Sequence, residues 1–237
     1  MNPHIPIIKT PTFEIFDKRN NIFQIQFAHS SPALIRSLIK TRLINNGYTN
    51  DTYTIVKFKA HSVKPLHQLQ SHSHTNKIRI RDAAKIIHSL ASQLCYLLQT
   101  EHHTILGYSP ENIILINDTT PVFLGSEFVA PLAPGTNSAM ICCPYSHTDF
   151  FFSPEIANIT EIPSHIHYKT AYFSFACLIM YLLLGNDDFY NDYMNKIRHP
   201  NNLIQVLDNH PIKNTKMYWL LSRCLVEDPN NRTILLI

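Results

Sequence analysis

The spacing of apolar residues changes along the chain. Phe13 and Ile15, then Ile22, Phe23, Ile25 and Phe27, predict two strands, with Asp17-Lys-Arg-Asn-Asn21 as the turn of a hairpin. At Ser31-Pro32 a hydroxyl stands where an N-cap is needed, and a proline where its missing N–H is harmless. Leu34, Ile35, Leu38, Ile39 and Leu43 follow at helical spacing, and Asn45-Asn46-Gly47 is expected to end that helix. Tyr53, Ile55, Val56 and Phe58 predict more strand. The polar run from His61 to Asn76 reads as loop with room for a short helix.

From Arg81 the helical period dominates. Ala84, Ile87, Ala91, Leu94 and Leu98 mark one face of a helix reaching Gln99. Ile113 to Ile116 and Val122 to Leu124 suggest a small β pair around Asn117-Asp-Thr-Thr120, followed by a loop rich in Pro and Ser to about His147. Further helices are expected at Thr170 to Leu184, Asn202 to Asp208 and Lys216 to Leu225. Strands first and helices later predict an α+β chain in two unequal parts, residues 1–60 and 61–237.

Composition narrows the function classes. The chain has 5 glycines against 15 prolines and no glycine before Gly47, so no Gly-rich phosphate loop exists near the start. Its 5 cysteines, Cys95, Cys142, Cys143, Cys177 and Cys224, form no C-x-x-C pair, which points to free thiols in a reducing compartment. Met1 to Lys9 shows no signal-peptide pattern, and the apolar stretch from Ala171 to Leu184 is too short to span a bilayer. An intracellular protein, cytoplasmic or nuclear, is expected. His61, His67, His72 and His74 cluster, as do His102 and His103, but no spacing fits a metal site, and neither metal nor cofactor is expected.

Charge is unevenly spread. Lys18 to Arg81 holds 11 Lys/Arg and one acid, Asp51, whereas Asp82 onward holds 8 basic against 14 acidic residues. Arg36, Lys40, Arg42, Lys57 and Lys59 are the candidate surface for an anionic partner, either an acidic protein or RNA.

Four segments in order carry a family likeness. His102 to Leu115 reads H-H-T-I-L-G-Y-S-P-E-N-I-I-L, and residues 151–155 read F-F-S-P-E. Lys169 to Phe189 reads K-T-A-Y-F-S-F-A-C-L-I-M-Y-L-L-L-G-N-D-D-F, and Cys224 to Thr233 reads C-L-V-E-D-P-N-N-R-T. Together they resemble the catalytic loop, activation-segment end, central helix and late arginine motif of protein kinases. The resemblance covers Arg81 to Arg232. It implies a two-lobed protein-kinase-like fold with a reduced N-terminal β lobe and a mainly helical C-terminal lobe.

The same resemblance places the catalytic positions and shows them changed. The proton-accepting Asp falls at Gly107, with Ile105 and Leu106 where His and Arg would stand. The metal-binding Asp falls at Gly125, and Glu127 two residues on is the only acid near enough to substitute. The phosphate-holding Lys falls at Gln26, with Lys57 or Lys59 as the alternative alignment. Its partner Glu is missing, since no acid lies between Lys18 and Asn50. Asn112 survives, and the central-helix Asp is Ala171. Glu155 and Arg232 are the pair that would pin the activation segment.

The resemblance therefore implies a pseudokinase, not an enzyme, acting as a protein-interaction scaffold or allosteric regulator in a complex. Two alternatives stay open: a divergent phosphotransferase with residual nucleotide binding, and a basic structural protein associated with RNA or a ribonucleoprotein.

Overall fold

The computed structural model describes residues 5–66, 68, 77–143, 151–185 and 200–234. Most of the expected loop from His61 to Asn76, and the end of the Pro- and Ser-rich loop at residues 144–150, lie outside them.

The first part is a five-stranded antiparallel sheet with one helix. Its strands are β1 (Ile8–Lys9), β2 (Phe13–Asp17), β3 (Ile22–Phe27), β4 (Asn45–Thr49) and β5 (Ile55–Lys59), in the order β1-β2-β3-β5-β4. Helix α1 (Pro32–Lys40) lies between β3 and β4 in sequence. Cross-strand pairs Phe13↔Phe27, Ile15↔Ile25, Phe23↔Phe58 and Ile25↔Val56 fix the register. All of these residues are buried, in one core with Leu34, Ile35 and Leu38 of α1. A slip of one residue would turn this face to water, so the apolar alternation sets the pairing.

The helix predicted to run through Leu43 stops at Lys40. The Thr41 hydroxyl donates to the Ser37 carbonyl and the Arg42 N–H to the Ile39 carbonyl, closing the last turn. Arg42 and Asn46 then adopt positive φ, and Asn45-Asn46-Gly47 enters strand β4 instead of a coil. Backbone hydrogen bonds to β5 override the turn-forming character of those residues.

The second part mixes short strands with helices. Strand β6 (Val63–Pro65) precedes helix α2 (Ile80–Gln99) and strand β7 (His103–Ile105). Strands β8 (Ile113–Ile116) and β9 (Thr120–Phe123) form a hairpin that β6 joins at its edge. The hairpin turns through a three-residue loop, Asn117 to Thr119, in which Asn117 and Asp118 take positive φ and the Thr119 N–H donates to the Ile116 carbonyl. Strand β10 (Val129–Pro131) pairs with β7, and β11 (Ser138–Ile141) with β12 (Ser164–His167). Among the described residues, four more helices follow the loop: α3 (Pro154–Ala157), α4 (Thr170–Leu184), α5 (Pro200–Asp208) and α6 (Lys216–Cys224). The architecture is mixed α+β with small antiparallel sheets.

Two helices organise this part. Helix α4 is apolar on all sides and buried along most of its length, as a central core helix must be. Helix α2 buries Ala83, Ile86, Ile87, Leu90, Ala91, Leu94 and Leu97. The stripe read from the sequence was displaced at both ends: Ala84 is exposed and Leu98 only partly buried. The actual face also takes in two polar residues, Ser89 and Gln93. The five cysteines form no disulfide. Among the described residues, no helix is long and apolar enough to cross a membrane.

Candidate functional site

The site is assembled around Asn112. Ser109 opens a short 3-10 turn, Pro110–Asn112, by accepting from the Glu111 N–H with its side chain. The Asn112 carbonyl accepts from the Leu124 N–H at 2.8 Å, tying the turn to the end of the β8–β9 hairpin. Its side-chain amide donates to Glu127 Oε1 at 2.7 Å. Glu127 is exposed as a residue, but its carboxyl end turns inward onto Asn112. Burial there raises its pKa, against the lowering effect of hydrogen bonds, that from Asn112 among them.

Gly125 sits in the space that remains. A Cβ added there would lie 2.7 Å from Phe123 Cζ and 2.9 Å from Asn112 Nδ2, closer than a carbon can approach either atom. The Phe123 ring cannot easily move aside, because it packs edge-on to Tyr108 with ring centres 5.1 Å apart. The position therefore holds no carboxylate and has no room for one.

Gln93 holds Phe123 in place. Its Oε1 accepts from the Phe123 N–H at 3.1 Å, and its Nε2 donates to the Phe123 carbonyl at 2.9 Å. Nε2 also reaches Ser37 Oγ of α1 at 3.3 Å. One fully buried amide thus links α1, α2 and the end of β9. Satisfied on both its ends, it is far less costly to bury than an unpaired amide. Its signal in the sequence is a lone Gln between Leu90-Ala91 and Leu94 on an apolar helix face.

Gly107 is buried on a segment held from both sides. The Leu106 N–H donates to the Phe128 carbonyl, and Tyr108 exchanges two backbone hydrogen bonds with Phe151. The adjacent Tyr108 side chain is packed against Phe123 and Phe175, and its hydroxyl has no hydrogen-bond partner. Burial drives its pKa far above the ordinary phenol value, so it remains a neutral hydroxyl. No side chain of this segment can take up a proton at neutral pH.

Neither a family model nor a curated protein matches the chain.

Other candidate residues fall in different places. Gln26 is exposed, on the sheet face opposite the buried one, and pairs across strands with Glu14 and Ile55. The inward positions beside it are Ile25 and Phe27, both apolar. The strand alternation therefore turns Gln26 away from the core that β3 shares with α1, and Gln26 does not join the Asn112 group. Lys57 and Lys59 point to that same outer face.

Glu155 and Arg232 do come together. Glu155 lies in the first turn of α3, and Arg232 follows a 3-10 turn started by Asp228. The guanidinium donates to both carboxylate oxygens, at 2.5 and 2.9 Å, and to the carbonyls of Val226, Glu227 and Lys169. All five guanidinium donors are thus engaged, which is what lets a charged group sit at zero exposure. The Phe173 ring lies 5.0 Å from its centre.

Arg36 leaves the anionic-partner surface assigned to it from sequence. Its Nε and Nη2 grip Glu101 at 2.8 and 2.6 Å, a fork that joins α1 to the segment after α2. The Glu101 carboxyl is held below the usual carboxylate range by the Arg36 hydrogen bonds, with burial opposing. Lys40, Arg42 and Lys59 remain exposed, and Lys57 is half-buried. Among the described residues no group of three His, Cys, Asp or Glu side chains is placed to hold a metal ion. His67, His72 and His74 lie outside them.

Proposed function

We propose that this chain is a kinase-like protein without phosphotransfer chemistry, working as an interaction scaffold or allosteric regulator within a complex. The observation that carries the reading is Gly125, at the position the resemblance gives to the metal-binding Asp. The Phe123 ring and the Asn112 amide fill the space that a carboxylate would need. Magnesium depends on well-placed oxygen ligands, and the acid of this corner, Glu127, is already bonded to the Asn112 amide.

Further support comes from the order of elements. A helix follows the third strand of a five-stranded antiparallel sheet, and a helix-rich part comes after it. The Glu155–Arg232 pair matches the bracing pair of the family resemblance. The positions for proton acceptance, metal and phosphate binding, Gly107, Gly125 and Gln26, carry no ionisable group. What remains is a packed framework with surfaces to offer.

The test is a melting curve of the full chain with Mg·ATP, Mn·ATP and neither, at about 1 mM nucleotide. No shift is expected. A ligand present at 100 times its Kd would stabilise by about 2.7 kcal/mol, so a rise of several degrees with Mg·ATP would overturn the reading in favour of a nucleotide-using enzyme.

A further inference from the structure

Five cations from separate segments gather at one end of the five-stranded sheet. Lys57 and Lys59 project from the outer face of β5, since Val56 and Phe58 point inward. Arg19 lies in the β2–β3 turn, and that turn is held at the end of β5 by the Asn21 carbonyl, which accepts from the Ala60 N–H. Lys40 ends α1, and Arg42 lies just before β4, whose first residue Asn45 pairs with Lys59. Among the described residues, none of the five has a carboxylate partner.

The acids of this part do little to offset them. Glu14 is paired with Lys9 at 2.8 Å. Asp17 lies at the β2–β3 turn, accepts from the Arg19 N–H with its side chain and offsets one of the five charges. Asp51 lies in the loop at the other end of the β4–β5 hairpin. Uncompensated like charges cost the folded chain stability and create a field that an anion relieves.

One aromatic side chain gives the field a shape. Tyr48 is 59% exposed, pairs directly with Lys57 across the β4–β5 ladder, and stands on the same outer face. Exposed Asn45 lies beside Lys59. An exposed phenol ring beside Lys57, with Lys59 and the other cations to one side of it, can stack an unpaired base while those cations hold the adjoining phosphates.

We propose that this end of the sheet binds single-stranded nucleic acid, with Lys57, Lys59, Arg42 and Arg19 on phosphates and Tyr48 stacked on a base. An acidic protein segment would use the same cations but has no need of an exposed ring. The proposal is independent of the kinase-like reading and stands on the sheet alone.

The experiment is fluorescence anisotropy of the full chain with a fluorescein-labelled single-stranded oligouridine of about 12 nucleotides. With four phosphates neutralised, raising salt from about 50 to 200 mM should weaken binding roughly 50-fold. Lys57→Glu with Lys59→Glu should lower affinity at least about tenfold, and Tyr48→Ala about fivefold or more. Lys216→Glu, the same kind of charge change on α6, should have little effect. If the double variant melts early, Arg42→Gln with Lys59→Gln takes its place. Equal losses for the sheet variant and Lys216→Glu would overturn the proposal. So would a duplex of equal length binding as tightly as the single strand. Displacement by poly-L-glutamate with no effect of Tyr48→Ala would also overturn it and mark an acidic-protein surface instead.

Discussion

The Arg232 guanidinium, withdrawn wholly from solvent, meets the Glu155 carboxylate at two points across 77 residues of sequence. Glu155→Ala would leave that charge buried with donors unfilled, and removing one member of a buried pair costs about 3–5 kcal/mol. Asn112→Ala deletes one hydrogen bond to the inward-turned Glu127 carboxyl and should cost less, about 1.5 kcal/mol. Urea denaturation midpoints of the two variants give the comparison, and equal losses would count against the bracing role.

Gln93 should matter more than its position in an apolar helix suggests. Gln93→Leu keeps the volume but strips partners from the N–H and carbonyl of Phe123. Each buried group left unpaired costs roughly 1–3 kcal/mol. Hydrogen exchange at the Phe123 amide should accelerate together with the loss of stability. A variant as stable as the parent would show that water or a rearrangement satisfies those groups.

Gly125→Asp does not recover a metal site. The new side chain collides with the Phe123 ring and the Asn112 amide. Overpacking of this kind costs about 1–3 kcal/mol. The variant should melt earlier than the parent and remain indifferent to Mg·ATP, by calorimetry or thermal shift. Gained Mg²⁺-dependent nucleotide binding would refute the account of this corner.

The Arg36–Glu101 fork makes part of the stability depend on acid. Glu101 holds its proton less tightly in the folded chain than its ordinary value of 4.5. Below that value the unfolded chain binds more protons than the folded one, so stability falls with pH. The contribution is complete above about 4.5 and is lost as the pH drops through the lower folded-state value. With Arg36 partly exposed, it should amount to about 1 kcal/mol at neutral pH. Denaturation midpoints of the parent and Glu101→Gln, followed downward through the carboxylate range, should converge at the acid end. Parallel curves would show that the fork carries no net energy.

The strongly periodic elements were readable and the short ones were not. The β2–β3 hairpin, α2 and α4 match the sequence reading closely, because the hairpin and α2 each have an apolar face long enough to set a period and α4 is a long, nearly unbroken apolar run. Strands β6, β7, β10 and β12 have three or four residues each, too few for any period to show. They exist because partners distant in sequence pair with them. At the site, Asn112, Gly125 and the Glu155–Arg232 pair were visible as residue types at motif spacing. Side-chain direction was not legible: strand alternation turns Gln26 outward, and Glu101 draws Arg36 inward.

The Glu155–Arg232 contact also has a meaning in time. At about 5–20 residues per second, a ribosome that has just made Glu155 needs roughly 4–15 seconds to reach its partner 77 residues later. For that interval the loop end and α4 are held by apolar packing, the Tyr108–Phe151 backbone pair and the Ser153–Thr170 hydroxyl contact, without the ion pair. The ion pair is therefore one that no nascent fragment ending before Arg232 can form, so the anchoring of the loop end is completed only late in synthesis.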